Sequence, residues 1–182
     1  LEGAGGGNSE KVVASGFPFS GRLIKVRVDD VVLPNGRRTK REVVVHRGAV
    51  AIIAVEGGRI IMERQYRHTA GKVLWEIPAG TLEEGEDPES CAKRELEEET
   101  GYVAGTVRPL IHFYVAPGYS TEVIHFFLAG DLRKENASPD EDEAIETRFV
   151  SLEEAHEMVR SNVIEDGKSI IGILLALEEL KR

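Results

Sequence analysis

Gly80 to Tyr102 reads GTLEEGEDPESCAKRELEEETGY, a glycine-bounded loop followed by a very acidic helix. Asp87-Pro88-Glu89 marks the helix start, with Asp87 as N-cap and Pro88 at the first helical position, where a missing N–H costs nothing. The spacing predicts a helix to about Thr100, stopped by Gly101. Ala92 and Leu96, four apart, give an apolar face. Glu95 and Glu99, also four apart, stack on a neighbouring face with Glu98 beside them, and Arg94 can reach Glu98. Glu95, Glu97, Glu98 and Glu99 crowd like charges at helical spacing. Two carboxylates about 4 Å apart repel by about 1 kcal/mol in water and about 4 kcal/mol at an effective dielectric near 20. A hard cation such as Mg²⁺ or Mn²⁺ relieves that repulsion, as do arginines or protonation; a solvated charge run is the plain alternative.

Working upstream, Val73 to Ile77 is a short strand closed by Pro78-Ala79-Gly80. Arg59 to Tyr66 is a strand ending near a polar site or the surface, and Gly48 to Val55 (GAVAIIAV) is an apolar run expected of a strand buried on both faces. Arg22 to Leu33 and Arg41 to Val45, joined at Pro34-Asn35-Gly36, read as a β-hairpin. Residues 1–9 are glycine-rich and read as a flexible tail. Downstream, strands are expected at about Val107 to Val115, Glu122 to Ala129 and Ile145 to Val150. Between the last two, the polar stretch Arg133 to Ala144 is expected to be mobile. Ser151 with Glu154 is a capping box for a helix to about Ser161. A last helix, about Lys168 to Lys181, has so broad an apolar face that it must pack against sheet or a partner subunit.

The 182 residues fit one α+β domain with mixed sheets and about three helices. A formal net charge of -9 argues against broad nucleic-acid binding, which rests on many Lys and Arg at phosphates. It leaves room for a small phosphorylated ligand brought in by a cation. No apolar run approaches the roughly 18 residues of a membrane span, and no signal core is seen, so a cytoplasmic protein is expected. Cys91 is the single cysteine, which agrees with a reducing compartment.

The loop and helix together match the Nudix box without a gap: Gly80, Glu86, Arg94-Glu95, Leu96, Glu97, Glu98-Glu99, Thr100, Gly101 and Tyr102, the last being a position more often aliphatic. A chance match is on the order of 10⁻⁸ per start position at average residue usage. The chain therefore resembles the Nudix hydrolases, and the resemblance implies the Nudix fold, an αβα sandwich, over residues 48–182. Residues 10–47 would be an N-terminal β-strand region serving dimerisation. It implies hydrolysis of a nucleoside diphosphate linked to another moiety, with Glu95, Glu98, Glu99 and the Ala79 carbonyl as ligands of Mg²⁺ or Mn²⁺, Arg94 orienting the glutamates and Glu86 structural.

Pro117, sixteen residues beyond Gly101 in APGYSTE, is similar to a mark of the ADP-ribose pyrophosphatase branch. Arg41-Glu42, MERQYR ending at Arg67, WEIPAG and Glu122 resemble the same branch. By that resemblance Arg41 and Arg67 hold phosphates or the terminal ribose, Pro117 and Gly118 belong to the substrate loop, and Glu122 accepts from a hydroxyl. The general base is Glu143 or Glu141, with Glu146 ranked behind them, on a loop closing over substrate. Phe17 and Phe19 are the nearest rings for an adenine. The products implied are AMP and ribose 5-phosphate, and the partners a small nucleotide substrate and a second copy in a homodimer. Other nucleoside diphosphate sugars, dinucleoside polyphosphates and oxidised nucleotides remain alternative substrates. A non-catalytic nucleotide-binding module and an acidic calcium loop are the other readings; the intact glutamates speak against the first and the ligand spacing against the second.

Overall fold

The computed structural model describes residues 9–135 and 145–180. In chain order the elements are β1 (Lys11–Ser20), β2 (Lys25–Val32), β3 (Arg38–Val45), β4 (Ala49–Glu56), β5 (Arg59–Arg67), β6 (Lys72–Glu76), β7 (Ala79–Thr81), α1 (Pro88–Thr100), β8 (Tyr102–Tyr114), β9 (Val123–Lys134), β10 (Ile145–Ser151), α2 (Leu152–Arg160) and α3 (Gly167–Glu179). The described residues form two compact units, those of 9–48 with 114–123 and those of 49–113 with 124–180.

In the first unit, β1, β2 and β3 make an antiparallel sheet in that order. The expected hairpin is present as β2 and β3, with Val28 opposite Glu42 and Asp29 opposite Arg41. Its turn places Gly36 at φ 81°, a left-handed conformation that a side chain disfavours. Strand β1 is an addition to that hairpin; the pairing shifts register between Val12 and Ala14 and between Gly16 and Phe19. Pro18, which has no N–H to give a ladder, sits at the second irregularity. The segment 114–123 joins this unit through Val44, whose N–H donates to the Tyr119 carbonyl at 2.7 Å and whose carbonyl accepts from the Thr121 N–H at 3.0 Å.

The second unit is built on a mixed sheet in the order β10-β5-β4-β9-β8, with β6 beside β5 and β7 beside β4. Strand β4 runs parallel to β9 and is buried from Val50 to Ala54, as its apolar run implied. Its alternation splits the core in two. Val50, Ile52 and Ala54 face one layer with Ala92, Leu96 and Phe127, which covers α1. Ala51 and Ile53 face the other with Ile77, Phe126, Ala155 and Ile173, which covers α2 and α3. This is the αβα sandwich expected.

The broad apolar face of α3 is spent on the sheet. Ile173 and Ala176 are fully buried, and a Cβ on Gly172 would lie 2.6 Å from Ile77 Cδ1. Each fully buried isoleucine contributes roughly 2 kcal/mol of transfer free energy. The Ala79-Gly80 segment, expected to close the preceding strand and open the loop, is itself part of a short strand: β7 pairs with β4, with Gly80 opposite Val50. The α2 capping box is half present, since Ser151 Oγ accepts from the Glu154 N–H at 3.1 Å.

Candidate active site

Helix α1 begins and ends as its residues dictate. Asp87 accepts from the Ser90 N–H at 3.0 Å, and Gly101, at φ 69°, caps the far end by donating to the Glu97 carbonyl. Cys91, Ala92 and Leu96 bury the apolar face, leaving the glutamates along the edge beside β7. Gly80 is the residue that lets them approach. A Cβ there would overlap the Glu95 carboxylate, so any other side chain would expel Glu95 from its place. Glu99, only 6% exposed, turns the other way along the same backbone and accepts from the Ala79 N–H at 3.0 Å.

Arg94 ties the loop to the helix. Its Nε and Nη2 donate to the two oxygens of Glu86 at 2.9 and 3.0 Å, and its Nη1 donates to Glu95 at 2.8 Å and to Glu98 at 2.9 Å. The Glu86 carboxylate also accepts from the Glu83 N–H at 2.9 Å, closing the loop on itself. Hydrogen bonding from Arg94 pulls the Glu86 carboxyl down to about 2 against the opposing cost of burial, and the same pairing keeps the guanidinium charged. Burial, then the neighbouring Glu86, pushes the Cys91 thiol up to about 12, so it is no nucleophile at neutral pH.

One arginine thus serves three carboxylates, and Glu99 adds a fourth to the group. Glu95, Glu98 and Glu99 are oxygen donors spaced along one helix edge, and the missing side chain at Gly80 leaves room for the Glu95 carboxylate; the chemistry of these donors fits a hard divalent cation. Among the described residues no three such side chains already converge as a cage. Glu95 and Glu98 are held by Arg94 instead, so a cation would compete with the guanidinium for them.

A second charged group lies in the same unit at the end of β5. Arg67 Nε and Nη2 donate to the two oxygens of Glu76 at 2.7 and 2.8 Å. Glu76, 2% exposed, also pairs with Lys168, which donates to Asp166 at 3.0 Å. Asp166 caps α3, accepting from the Ser169 N–H, and Ser169 Oγ accepts from the Ile77 N–H at 2.8 Å. Burial alone would raise the Glu76 carboxyl; Arg67 and Lys168 outweigh it and hold it below its usual range. Bonding to Glu76 raises the Arg67 guanidinium against burial, with smaller fields from Glu99 and Asp166. No spacing rule in WEIPAG assigns Glu76 a role of its own. Its signal is an acid between Trp75 and Ile77, which both pack in the core.

In the first unit Arg41, Pro117 and Gly118 come together around a cavity of about 590 Å³, also lined by Asp29, Tyr114 and Tyr119. Arg41 pairs there with Glu10 at 2.5 and 3.0 Å. Glu122 is not among the lining residues; its Oε1 stands 4.0 Å from His46 Nδ1. Glu146 pairs with Arg64 at 3.1 Å, in the β-ladder row of Trp75 and so on the sheet face away from α1. Glu141 and Glu143 lie outside the described residues.

An acidic helix edge with Glu95 set over the bare Gly80 backbone, in one layer of an αβα sandwich, is the arrangement that the resemblance to the Nudix hydrolases implies. Residues 44–170 match the NUDIX domain and residues 10–44 the nucleoside diphosphate sugar hydrolase N-terminal domain; the chain belongs to the Nudix family. It is 47% identical over 167 residues to an ADP-ribose pyrophosphatase of Bacillus subtilis (strain 168), covering 90% of each chain. It is also 47% identical over 174 residues to a methanol dehydrogenase activator of Bacillus methanolicus, covering 93% of this chain and 94% of that one. The crystal structure of an ADP compounds hydrolase shares the fold, with a TM-score of 0.84 over 94% of both chains at 24% identity.

Proposed function

We propose that this Nudix hydrolase cleaves the diphosphate of ADP-ribose to AMP and ribose 5-phosphate with Mg²⁺. The observation that carries this is Glu95, set over the bare Gly80 backbone and joined to Glu98 through Arg94, with Glu99 on the neighbouring Ala79 N–H. The ADP-ribose pyrophosphatase relative, alike over 90% of each chain, supports the choice of substrate. When bound, the cation neutralises the diphosphate and lowers the pKa of an attacking water. Glu95, Glu98, Glu99 and the Ala79 carbonyl would hold it; Mn²⁺ suits the same donors. Arg94 keeps Glu95 and Glu98 oriented between turnovers.

Water adds to one phosphorus, its proton passes to a carboxylate base, and the P–O bond to the bridging oxygen breaks, so one water is consumed per diphosphate. Glu143 and Glu141 are the candidates for that base. Arg67 presents its remaining guanidinium edge to a phosphate or ribose oxygen. Arg41 would do the same in the cavity it shares with Pro117 and Gly118, in competition with Glu10. Glu122 accepts from a substrate hydroxyl. The organisation that goes with this is a tail over residues 1–9, a dimerising region over 10–47 and the hydrolase domain over 48–182. Strand β1 exposes Val12, Val13, Phe17 and Phe19, an apolar edge suited to a second copy in a homodimer and offering rings for the adenine. A cytoplasmic location agrees with a chain in which no described helix is long and apolar enough to cross a membrane.

The relative named as a methanol dehydrogenase activator, at the same 47% identity, supports a second reading in which the fold acts on another protein. Hydrolysis of ADP-ribose, GDP-mannose and diadenosine polyphosphates with Mg²⁺, with products identified, separates the readings. ADP-ribose should be cleaved fastest, giving AMP and ribose 5-phosphate in equal amounts. Turnover of none of them, or a clear preference for another, overturns the assignment.

A further inference from the structure

An arginine that binds substrate oxygens binds better when it is already held in one of its many rotamers, because its side-chain freedom is otherwise lost on binding. Arg67 is already held. Its Nε and Nη2 are fixed in a bidentate pair with Glu76, whereas its Nη1 has no hydrogen-bond partner among the described residues, and the side chain is 37% exposed. The guanidinium therefore has one edge bound to the fold and one edge open. Glu76 in turn is only 2% exposed and does not depend on Arg67 alone, since Lys168 reaches it from the first turn of α3. Lys168 is steadied by Asp166, and the same turn is bolted to the strand end by Ser169, whose hydroxyl accepts from the N–H of Ile77 next to Glu76. The chain of contacts runs Asp166, Lys168, Glu76, Arg67, and joins residues about a hundred positions apart in sequence.

We propose that Glu76 and Lys168 are positioning residues for the hydrolysis: they lock the plane of the Arg67 guanidinium so that its Nη1 edge meets an anionic or hydroxyl oxygen of the substrate. The inference rests on the reading of Arg67 as a substrate contact. Lys168 touches no reacting atom; its effect passes through Glu76. A bidentate carboxylate fixes the guanidinium plane in a way a single contact cannot, and the lysine fixes the carboxylate. Loss of Lys168 leaves the Arg67 charge in place but frees its direction, so substrate binding suffers while the bond-breaking step on the glutamate helix does not.

The test is steady-state hydrolysis of ADP-ribose with saturating Mg²⁺ by the full chain and by Arg67→Ala, Lys168→Met, Lys168→Arg and the Arg67→Ala/Lys168→Met double variant. Lys168→Met should raise KM by about tenfold with kcat within about twofold. Lys168→Arg, which keeps a cation on Glu76, should restore KM to within about threefold. In the Arg67→Ala background the Lys168 substitution should add nothing, because the residue it positions is gone. An unchanged KM in Lys168→Met, or the same rise with and without Arg67, overturns the positioning role while leaving Arg67 as a contact. A wild-type KM in Arg67→Ala removes Arg67 from the substrate and the proposal with it. Should Lys168→Met not fold at the assay temperature, Glu76→Gln carries the same predictions, with thermal unfolding of each variant as the check on folding.

Discussion

Two arginines organise charge in the second unit, and they do it in opposite ways. Arg94 faces Glu86, Glu95 and Glu98, one cation against three carboxylates. Arg67 belongs to a group of two cations, with Lys168, and two carboxylates, Glu76 and Asp166. The first group is short of positive charge and lies partly open, with the Glu98 side chain 43% exposed; the second is balanced, with Glu76 almost wholly enclosed. On the proposed function, the unbalanced group is where a cation and its anionic ligand would sit, and the balanced, buried group is scaffold that aims a side chain. Both groups share glutamate and arginine, so residue type alone does not separate them.

The sharpest way to break this contrast is to unbalance the balanced group. Glu76→Ala leaves Arg67 and Lys168 facing each other without their carboxylate and should cost about 3–5 kcal/mol of unfolding free energy in denaturant titration. Glu98→Gln, which removes one of three like charges, should stay within about 0.5 kcal/mol of wild type when no divalent ion is present. Next in size is the chemistry: Glu99→Gln should lower kcat by about a hundredfold or more, with the far-ultraviolet spectrum unchanged. Gly80→Ala sharpens the geometry. Its Cβ displaces the Glu95 carboxylate, so kcat should fall by about tenfold or more while Glu86, Arg94 and Glu98 stay in place.

The smallest effect is in pH. The folded Glu86 carboxyl lies at about 2, below its unfolded value, so its contribution is present above about pH 4.5. That contribution is lost as pH falls toward 2 and Glu86 takes up a proton. Glu86→Gln should remove this part of the slope: wild type and variant should converge in stability below about pH 2 and differ most above pH 5.

The glutamate helix was legible because everything that defines it is local. Asp87, Pro88 and Gly101 set its ends, and Ala92, Leu96, Glu95 and Glu99 fall on their faces by helical spacing alone. Strand β4 was equally plain, an apolar run too short for a helix and buried on both sides. Strand β1 was not. All ten of its residues are exposed, so no alternation marks it, and Gly16 and Pro18 read as breakers where they sit at irregular pairing. The Arg67 group was hidden for another reason. Arg67 and Glu76 are brought together by the β5 and β6 pairing, and Lys168 joins from a helix far along the chain, so no spacing rule links them. Arg41 is marked by its sequence pattern, but its pairing with Glu10 depends on β1.

The most direct test of the contrast is Mn²⁺ binding, followed by electron paramagnetic resonance, to the wild-type chain, Glu98→Gln and Glu76→Gln. Glu98→Gln should weaken Mn²⁺ binding by about tenfold or more, and Glu76→Gln should leave it within about twofold. Equal weakening by both, or weakening by Glu76→Gln alone, would place the cation elsewhere than the charge-rich edge of α1 and contradict the account.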